Sequence, residues 1–292
     1  MDLKIPPLPN TLGEILQFMS DESASGNVDQ LVEIIRKDPA TSIYVLQRIN
    51  SPYHGLRRYI SEIDQAVVLL GFKRVCNLVL SVTLKQSFSY MESTAARNVY
   101  EHIMQTSLAT AAFARDLALH LRFPLSEKAF TAGLLHQLGR LVLLQSATQL
   151  YVSLWYTQVQ ETNQLLFLPP SPEKEQEFFD TNYSILGAAI MRKWSFPEDI
   201  VMVIGALLTP FQVAIGQKRT LALTVAAGSA AAEQLFRLEN SDASSTSEAP
   251  EIPEPFITLA RERNLEVENL TAFLDKRSET VRKFAETLFD DS

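Results

Sequence analysis

Helical periodicity is the feature of this 292-residue sequence that most limits its fold. The segment 63–70 carries apolar residues at the three- and four-residue spacing of a helix face, and the same pattern runs through 98–121 and 146–168. The segment 127–145 is apolar on almost every side, which is typical of a buried central helix. Alternating apolar patterns flanked by turn pairs, the mark of strands, are absent from the sequence. The sequence therefore predicts an all-α fold.

Two features predict where the helix over 63–70 begins and ends. Ser61 and Asp64 have the spacing of a capping box, in which each side chain bonds to a backbone N–H at the start of a helix. Gly71 follows the last apolar residue and can take the left-handed conformation that ends many helices. We therefore expect a helix that starts at Ser61 and stops at Gly71.

Changes in composition divide the chain into four parts. Apolar periodicity lapses in SYMEST, so an N-terminal helical lobe is predicted over 1–90 and a helical core over 91–238. The stretch 239–255 is polar, acidic and proline-rich, which predicts a flexible linker. The amphipathic segment 256–292 is too short for a core of its own, so it is predicted to pack on the main domain.

Charge and cysteine content narrow the possible partners and the compartment. The net charge is −8 and the pI is about 5.2, so no basic excess supports broad binding to nucleic acid or to an anionic membrane. The single cysteine, Cys76, cannot form an intramolecular disulfide. The N-terminus has no apolar signal core, and the longest apolar runs are too short to cross a bilayer. We expect a cytoplasmic protein that binds neither nucleic acid nor membrane.

Several motifs together resemble the HDOD family of bacterial proteins. Between residues 38 and 84 they are a DP before a helix, an NS at its end, GLRR, SEIDQAVVLLG and KRVCNLVL. The segments AFTAGLLHQLGRLVLL and ILGAAIMRKWSFPEDIVMVI follow in the family's order, and the resemblance covers about residues 5 to 290. It implies an HD-like helical domain with an N-terminal helical lobe, of the kind found in bacterial signalling proteins.

The resemblance also implies where the metal ligands of the HD phosphohydrolase scaffold would fall. The early histidine corresponds to Thr106, and the His-Asp doublet corresponds to His136 and Gln137. An auxiliary histidine would fall near Tyr183, and the terminal aspartate would fall in 223–231, where no acidic residue occurs. Only His136 keeps a ligand-type side chain. Since a glutamine amide is neutral, it is a poor replacement for a carboxylate on a divalent cation.

These substitutions predict no catalytic residue, no metal and no cofactor. His136 is expected to be a buried or pocket-lining histidine with a hydrogen-bond partner such as Gln137 or Tyr183. His102, one helical turn before Thr106, is the alternative ligand, although it would lack several partners that a metal site needs.

Three functions remain open. The first is a non-catalytic signalling module that binds a partner protein or a small ligand in a vestigial pocket at Thr106, His136, Gln137 and Tyr183. The second is a metal-dependent phosphohydrolase that acts on a nucleotide or phosphodiester through a rearranged site. The third is a structural or oligomeric scaffold. The first is preferred because the charged ligands are missing.

A second candidate site is basic. Arg57 and Arg58 lie near Lys73 and Arg74 in sequence, and the four could bind an anion or an acidic partner. The alternative is a solvated loop and helix start, since short basic clusters are usually surface. If the two lobes share a cleft, Arg57 and His136 would face it from opposite sides.

Overall fold

The structure of the chain is a computed structural model, and it describes residues 13–15, 28–89, 91, 93–158, 165–237 and 252–287. Nearly all of the predicted linker lies outside the described residues, as does most of the chain before residue 28. The described residues are mainly helical, which confirms the predicted all-α class. None of their helices is long and apolar enough to cross a membrane.

The helices of the N-terminal part, from residue 28 onwards, are α1 (Val28–Arg36), α2 (Pro39–Ile49), α3 (Ile63–Leu70) and α4 (Phe72–Phe88). Helix α2 begins because the Asp38 carboxylate accepts a hydrogen bond from the backbone N–H of Ala40 at 3.0 Å, and Pro39 has the φ that a first helical turn needs. A 3₁₀ turn, Pro52–His54, follows α2.

The predicted capping box before α3 is wrong. Helix α3 starts one residue later, after Glu62, and no side chain caps it. Gly71 does end the helix, with φ of +88°, and it also precedes the first turn of α4. Because a side chain is strained at this φ, glycine is the residue that allows α3 and α4 to join without a loop.

The centre of the fold consists of α5 (Thr94–His120), α6 (Ser126–Leu135), α7 (Leu138–Ser146) and α8 (Thr148–Trp155). The single helix predicted over 127–145 is therefore wrong, because it breaks at His136 and Gln137. At this break the Gln137 carbonyl accepts hydrogen bonds from the backbone N–H groups of Arg140 and Leu141, which form the first turn of α7. Both side chains at the break are thereby free to make buried hydrogen bonds with other helices.

A hairpin replaces the end of the helix predicted over 146–168. Strand β1 (Tyr156–Gln158) pairs antiparallel with β2 (Leu165–Phe167), and Tyr156 lies opposite Phe167. The Phe167 ring centre is 5.2 Å from that of Tyr156 and 5.4 Å from that of Trp155. These aromatic contacts across the pair stabilise the hairpin, and a continuous helix would not make them.

The remaining helices are α9 (Pro172–Phe179), α10 (Tyr183–Lys193), α11 (Glu198–Gly205), α12 (Gln217–Arg237), α13 (Glu254–Arg263) and α14 (Val267–Glu286), with a 3₁₀ turn at Pro210–Gln212. Helix α5 is central, since α6, α12 and α14 all contact it. Helix α13 contacts α12, and an ion pair of 2.8 Å between Arg277 and Asp116 joins α14 to α5. The C-terminal helices thus pack against the core helices.

One close approach of two backbones positions the site described below. A Cβ atom at Gly139, in α7, would overlap the carbonyl oxygen of Tyr183 at the start of α10. Only glycine therefore allows α7 and α10 to come this close. The approach brings the ring of Tyr183 over the side chain of Arg140, the residue that follows Gly139.

Candidate functional site

The buried side chains at the break between α6 and α7 form a directed chain of hydrogen bonds. The amide nitrogen of Gln137 donates to Oγ1 of Thr106 at 2.8 Å, and Thr106 donates to the carbonyl of His102 at 2.7 Å. Thr106 is 1% and Gln137 2% exposed, so these bonds form without competition from water. The structure thus brings together two of the four residues predicted for the vestigial pocket.

Arg140 continues this chain on the other side of Gln137. Its Nη1 donates to the Gln137 amide oxygen at 3.3 Å, and its Nη2 donates to the carbonyl of Pro170 at 3.1 Å. Its Nε donates to the Glu175 carboxylate at 3.2 Å, and its guanidinium lies 4.2 Å from the centre of the Tyr183 ring. The positively charged guanidinium of Arg140 therefore lies next to Gln137, one of the two doublet positions.

Glu175 neutralises Arg140 inside the protein. This carboxylate is fully buried, and it also accepts hydrogen bonds of 2.7 Å from the Tyr151 hydroxyl and from the backbone N–H of Tyr183. Burial alone would lower the pKa of Arg140, but Glu175 acts together with Tyr151, Tyr183 and Glu233 to outweigh burial and hold the pKa above its ordinary value. Arg140 is therefore charged at any physiological pH.

His136 is buried and hydrogen-bonded, as predicted, but its partners are different. Its Nδ1 donates to the carbonyl of Gly133 at 2.6 Å, so Nε2 accepts from the Ser229 hydroxyl at 3.3 Å. The expected bonds to Gln137 or Tyr183 are wrong. Burial lowers the pKa of His136 to about 3, and the charge of Arg140 adds to the effect, so the ring is neutral. Ser229 belongs to the segment 223–231, where the scaffold's terminal aspartate was expected.

These residues do not fit a divalent metal ion. Thr106, Gln137 and Ser229 are neutral, and His136 already uses its second ring nitrogen to accept a hydrogen bond. The charged guanidinium of Arg140 would repel a second cation. Across the described ranges no group of three or more histidine, cysteine, aspartate or glutamate side chains is placed to hold a metal.

Sequence reasoning missed Arg140, Glu175 and Ser229. One feature of the sequence could have identified Arg140, because it is a basic residue inside an apolar segment that was predicted to be buried. Glu175 had none, since it lies 35 positions away on a helix with an acidic exposed face. Ser229 is one small residue among alanines, and only the packing of α12 reveals its contact with His136.

His102, the alternative metal ligand, lies at a cavity and not at the doublet. The cavity is about 380 Å³ and is lined by Asn98, Glu101, His102, Gln105, Tyr156, Phe167 and Phe236. The edge of the His102 ring meets the Trp155 ring with centres 5.3 Å apart. Burial lowers the pKa of His102 to about 4, so this ring is also neutral at pH 7. The cavity is not lined by Thr106, His136, Gln137 or Tyr183.

The four basic residues predicted as an anion or partner patch differ in exposure. Arg57, Arg58 and Lys73 are exposed, whereas Arg74 is half-buried and its Nε is enclosed. The hypothesis that His136 and Arg57 face one cleft is wrong, because His136 is 1% exposed and both of its ring nitrogens are bonded within the core.

Solved structures share this architecture. An HDOD domain protein of unknown function from Geobacter sulfurreducens has a TM-score of 0.76 and 19% identity, with 98% of this chain and 94% of that chain covered. A protein from Shewanella amazonensis SB2B, described as a candidate phosphohydrolase, has a TM-score of 0.70 and 21% identity. This match covers 97% of this chain and 94% of that chain. A candidate signal transduction protein from Marinobacter aquaeolei VT8 has a TM-score of 0.68 and 21% identity. This match covers 98% of this chain and 60% of that chain. At these identities the matches show a common fold.

Sequence comparison identifies the family. A curated but uncharacterised protein from Treponema pallidum (strain Nichols) is 25% identical over 201 residues, which are 68% of this chain and 37% of that protein. The chain therefore spans little more than a third of that relative's length. The family model of the HDOD domain matches residues 5–209. Since this match covers most of the chain, the protein belongs to the HDOD family.

Proposed function

We propose that this chain is a regulatory module of bacterial signal transduction that carries out no metal-dependent hydrolysis. It binds a partner protein or a small ligand at the remnant of the HD cleft. The observation that carries the proposal is the buried pair of Arg140 and Glu175 next to Gln137. A charged side chain with its own counter-ion stands where an enzyme of this scaffold would need room and negative charge for a metal.

The geometry favours a stable, closed arrangement over a damaged metal site. Gln137 forms hydrogen bonds to Thr106 and to Arg140 at the same time. Because the guanidinium can only donate, the Gln137 amide oxygen accepts from Arg140 and the amide nitrogen donates to Thr106. Every polar group in this chain of bonds has a partner. A fully satisfied buried network of this kind rigidifies the core, which suits a module that transmits a conformational change.

The cavity beside His102 is the place where a ligand would meet this network. Its aromatic wall includes Phe167 and Phe236, and Asn98, Glu101 and Gln105 supply polar groups along one face of α5. This combination suits a flat, uncharged or cationic ligand. Trp155 links the two regions, since its ring contacts His102 and lies 5.9 Å from the Arg140 guanidinium.

The alternative is a phosphohydrolase, a description given to the Shewanella relative. A hydrolysis assay with bis(p-nitrophenyl) phosphate, with and without added Mn²⁺ or Fe²⁺, separates the two functions. We expect no turnover above that of the metal alone. Metal-dependent turnover by the wild type that disappears in His136→Ala, but persists in the matched exposed variant His120→Ala, would favour the enzyme and overturn the proposal.

A further inference from the structure

A buried arginine outside the remnant cleft has no counter-ion among the described residues. Arg48, on α2, is 1% exposed, and its Nη1 donates to the Phe284 carbonyl and to the Thr287 hydroxyl, both at 2.5 Å. Its Nε and Nη2 are enclosed and make no hydrogen bond to the described part of the chain. Burial without a carboxylate lowers the pKa of Arg48 to about 9. Such a group is strongly unfavourable unless an anion joins it.

Two further arginines lie in the same region. Arg115 is 3% exposed, and its guanidinium lies 4.7 Å from the centre of the Tyr53 ring. Tyr53 in turn stacks on Phe284 with ring centres 4.4 Å apart, and the Arg48 guanidinium lies 4.7 Å from the centre of that same Phe284 ring. The Nε atoms of Arg115 and Arg74 are both enclosed without a hydrogen-bond partner among the residues that the structure covers.

The NSPYHG segment supplies neutral donors to this cluster. The His54 ring lies 5.8 Å from Phe284, and both of its nitrogens are enclosed without a bond in the described structure. The hydroxyl of Ser51, also buried, is unbonded as well. Burial lowers the pKa of His54 to about 2, and the charges of Arg74, Arg115 and Arg48 add to the effect. His54 is therefore a neutral ring within electrostatic range of three arginines.

The carboxylates nearby are already engaged. Asp116 accepts from the Tyr53 hydroxyl at 3.2 Å and pairs with Arg277 at 2.8 Å and with Arg115 at 3.7 Å. Glu127 accepts from the amide of Asn77 at 3.0 Å. Asp116 is thus shared between two arginines, and Arg48 is left with no carboxylate among the described residues.

We propose that Arg48, Ser51, His54, Arg74 and Arg115 form a binding site for a phosphate group, either as free phosphate or as the monoester of a small molecule. Within the described ranges, six enclosed donors lack acceptors: two on Arg48 and one each on Arg74, Arg115, Ser51 and His54. A carboxylate has about four acceptor positions, whereas a phosphate has more and is matched well by guanidinium groups. The half-buried side chains of His54 and Arg74 connect the site to the surface.

This site shares no residue with the remnant HD cleft, so the two proposals fail separately. It also divides the predicted basic patch, because Arg74 belongs to the buried cluster and Lys73, its exposed neighbour, does not. The pair Arg74 and Lys73 therefore provides a matched comparison. Both changes to glutamine remove one positive charge from the first turn of α4, and only one of them removes a donor from the proposed site.

The test is calorimetric titration of the full chain with inorganic phosphate at constant ionic strength. We expect one saturable site, and acetate should bind more weakly. Arg74→Gln should weaken phosphate binding about tenfold or more, since it removes a charge-assisted hydrogen bond, whereas Lys73→Gln should change it by less than about twofold. Ser51→Ala removes only a hydroxyl and should weaken phosphate binding about threefold or more. This variant tests the site even if Arg74→Gln does not fold.

Phenyl phosphate distinguishes the two sources of the phosphate group. Equal affinities would identify free phosphate as the ligand class, and tighter binding of the ester would identify a phosphorylated small molecule. The proposal is overturned if the wild-type chain shows no saturable phosphate binding. Equal weakening by Arg74→Gln and Lys73→Gln would also overturn it, because this result indicates attraction by surface charge alone.

Discussion

The Gln137 amide donates a hydrogen bond of 2.8 Å to the Thr106 hydroxyl, and this bond joins α5 to the break between α6 and α7. The resemblance to the HDOD family implies that both residues correspond to metal-ligand positions of the HD scaffold. The same amide accepts from Arg140 at 3.3 Å. Gln137 therefore links α5 to α7 through buried side-chain hydrogen bonds.

Replacing Gln137 by alanine should destabilise the protein by about 2–3 kcal/mol, because a donor of Arg140 and the Thr106 hydroxyl would each lose a buried partner. Urea unfolding monitored by circular dichroism measures this change. The matched control is Gln145→Ala, an exposed glutamine in the same helix as Arg140, and it should shift stability by less than about 0.5 kcal/mol. Equal effects of the two changes would contradict the bonding described here.

Replacing Glu175 by glutamine should be more damaging than replacing Gln137. It removes the counter-charge of a buried arginine, and breaking a buried ion pair costs about 3–5 kcal/mol. Thermal and urea unfolding both report the loss. Glu177→Gln, on an exposed position of the same helix, should leave stability within about 0.5 kcal/mol. A Glu175→Gln protein with unchanged stability would show that Arg140 does not depend on this carboxylate.

The contact between Gly139 and Tyr183 predicts a steric effect. Gly139→Ala should destabilise the protein by about 1–3 kcal/mol or more, since the added Cβ overlaps a backbone carbonyl that cannot rotate away. Gly205→Ala is the control, because its Cβ would meet only the Ala188 methyl at 3.4 Å, close to ordinary contact. If both variants keep wild-type stability, α7 and α10 are not packed as closely as described.

Acid should destabilise the fold through its buried histidines. The pKa values of His136 and His102 are lowered to about 3 and about 4 in the folded protein, mainly by burial, from an ordinary value of 6.5. At a pH between the folded and the unfolded pKa of a histidine, the unfolded chain binds more protons than the folded chain. The free energy of unfolding therefore falls as the pH falls below about 6.5. Each histidine contributes at most about 1.4 kcal/mol per pH unit.

Urea unfolding at pH 7, 6 and 5 measures this slope. His102→Gln should reduce it, because the substituted side chain does not titrate. His102 suits the measurement because it borders the cavity, so the change should perturb packing less than a change at His136. A variant with the full wild-type slope would show that His102 is protonated as readily in the folded as in the unfolded chain.

The sequence predicted the helix over 98–121 well. This segment has steady apolar spacing and became α5, Thr94–His120, with boundaries within a few residues of those predicted. The break at His136 and Gln137 could not be predicted, because the surrounding run is apolar on almost every side and carries no proline. The hairpin at Tyr156 was hidden for a related reason, since its aromatic residues also fit a helix face.

The hydrogen bonds around the candidate site residues could not be predicted from the sequence. The resemblance singled out Thr106, His136 and Gln137, and the structure connects Thr106 to Gln137. The partners that complete the network, Glu175 and Ser229, come from distant helices that tertiary packing brings to the break. Local patterns of charge and periodicity hold no information about such contacts, which depend on the crossing of α7, α9 and α12.

Metal content is the measurement that tests the central claim most directly. Elemental analysis should be made on wild-type protein purified without chelator or a histidine tag, alongside His136→Ala. We expect far less than one iron, manganese or zinc ion per chain in both proteins, because Gln137 at the doublet position is hydrogen-bonded to the charged Arg140, which has its own counter-ion in Glu175. One ion per wild-type chain that is lost in His136→Ala would contradict this account and restore the phosphohydrolase alternative.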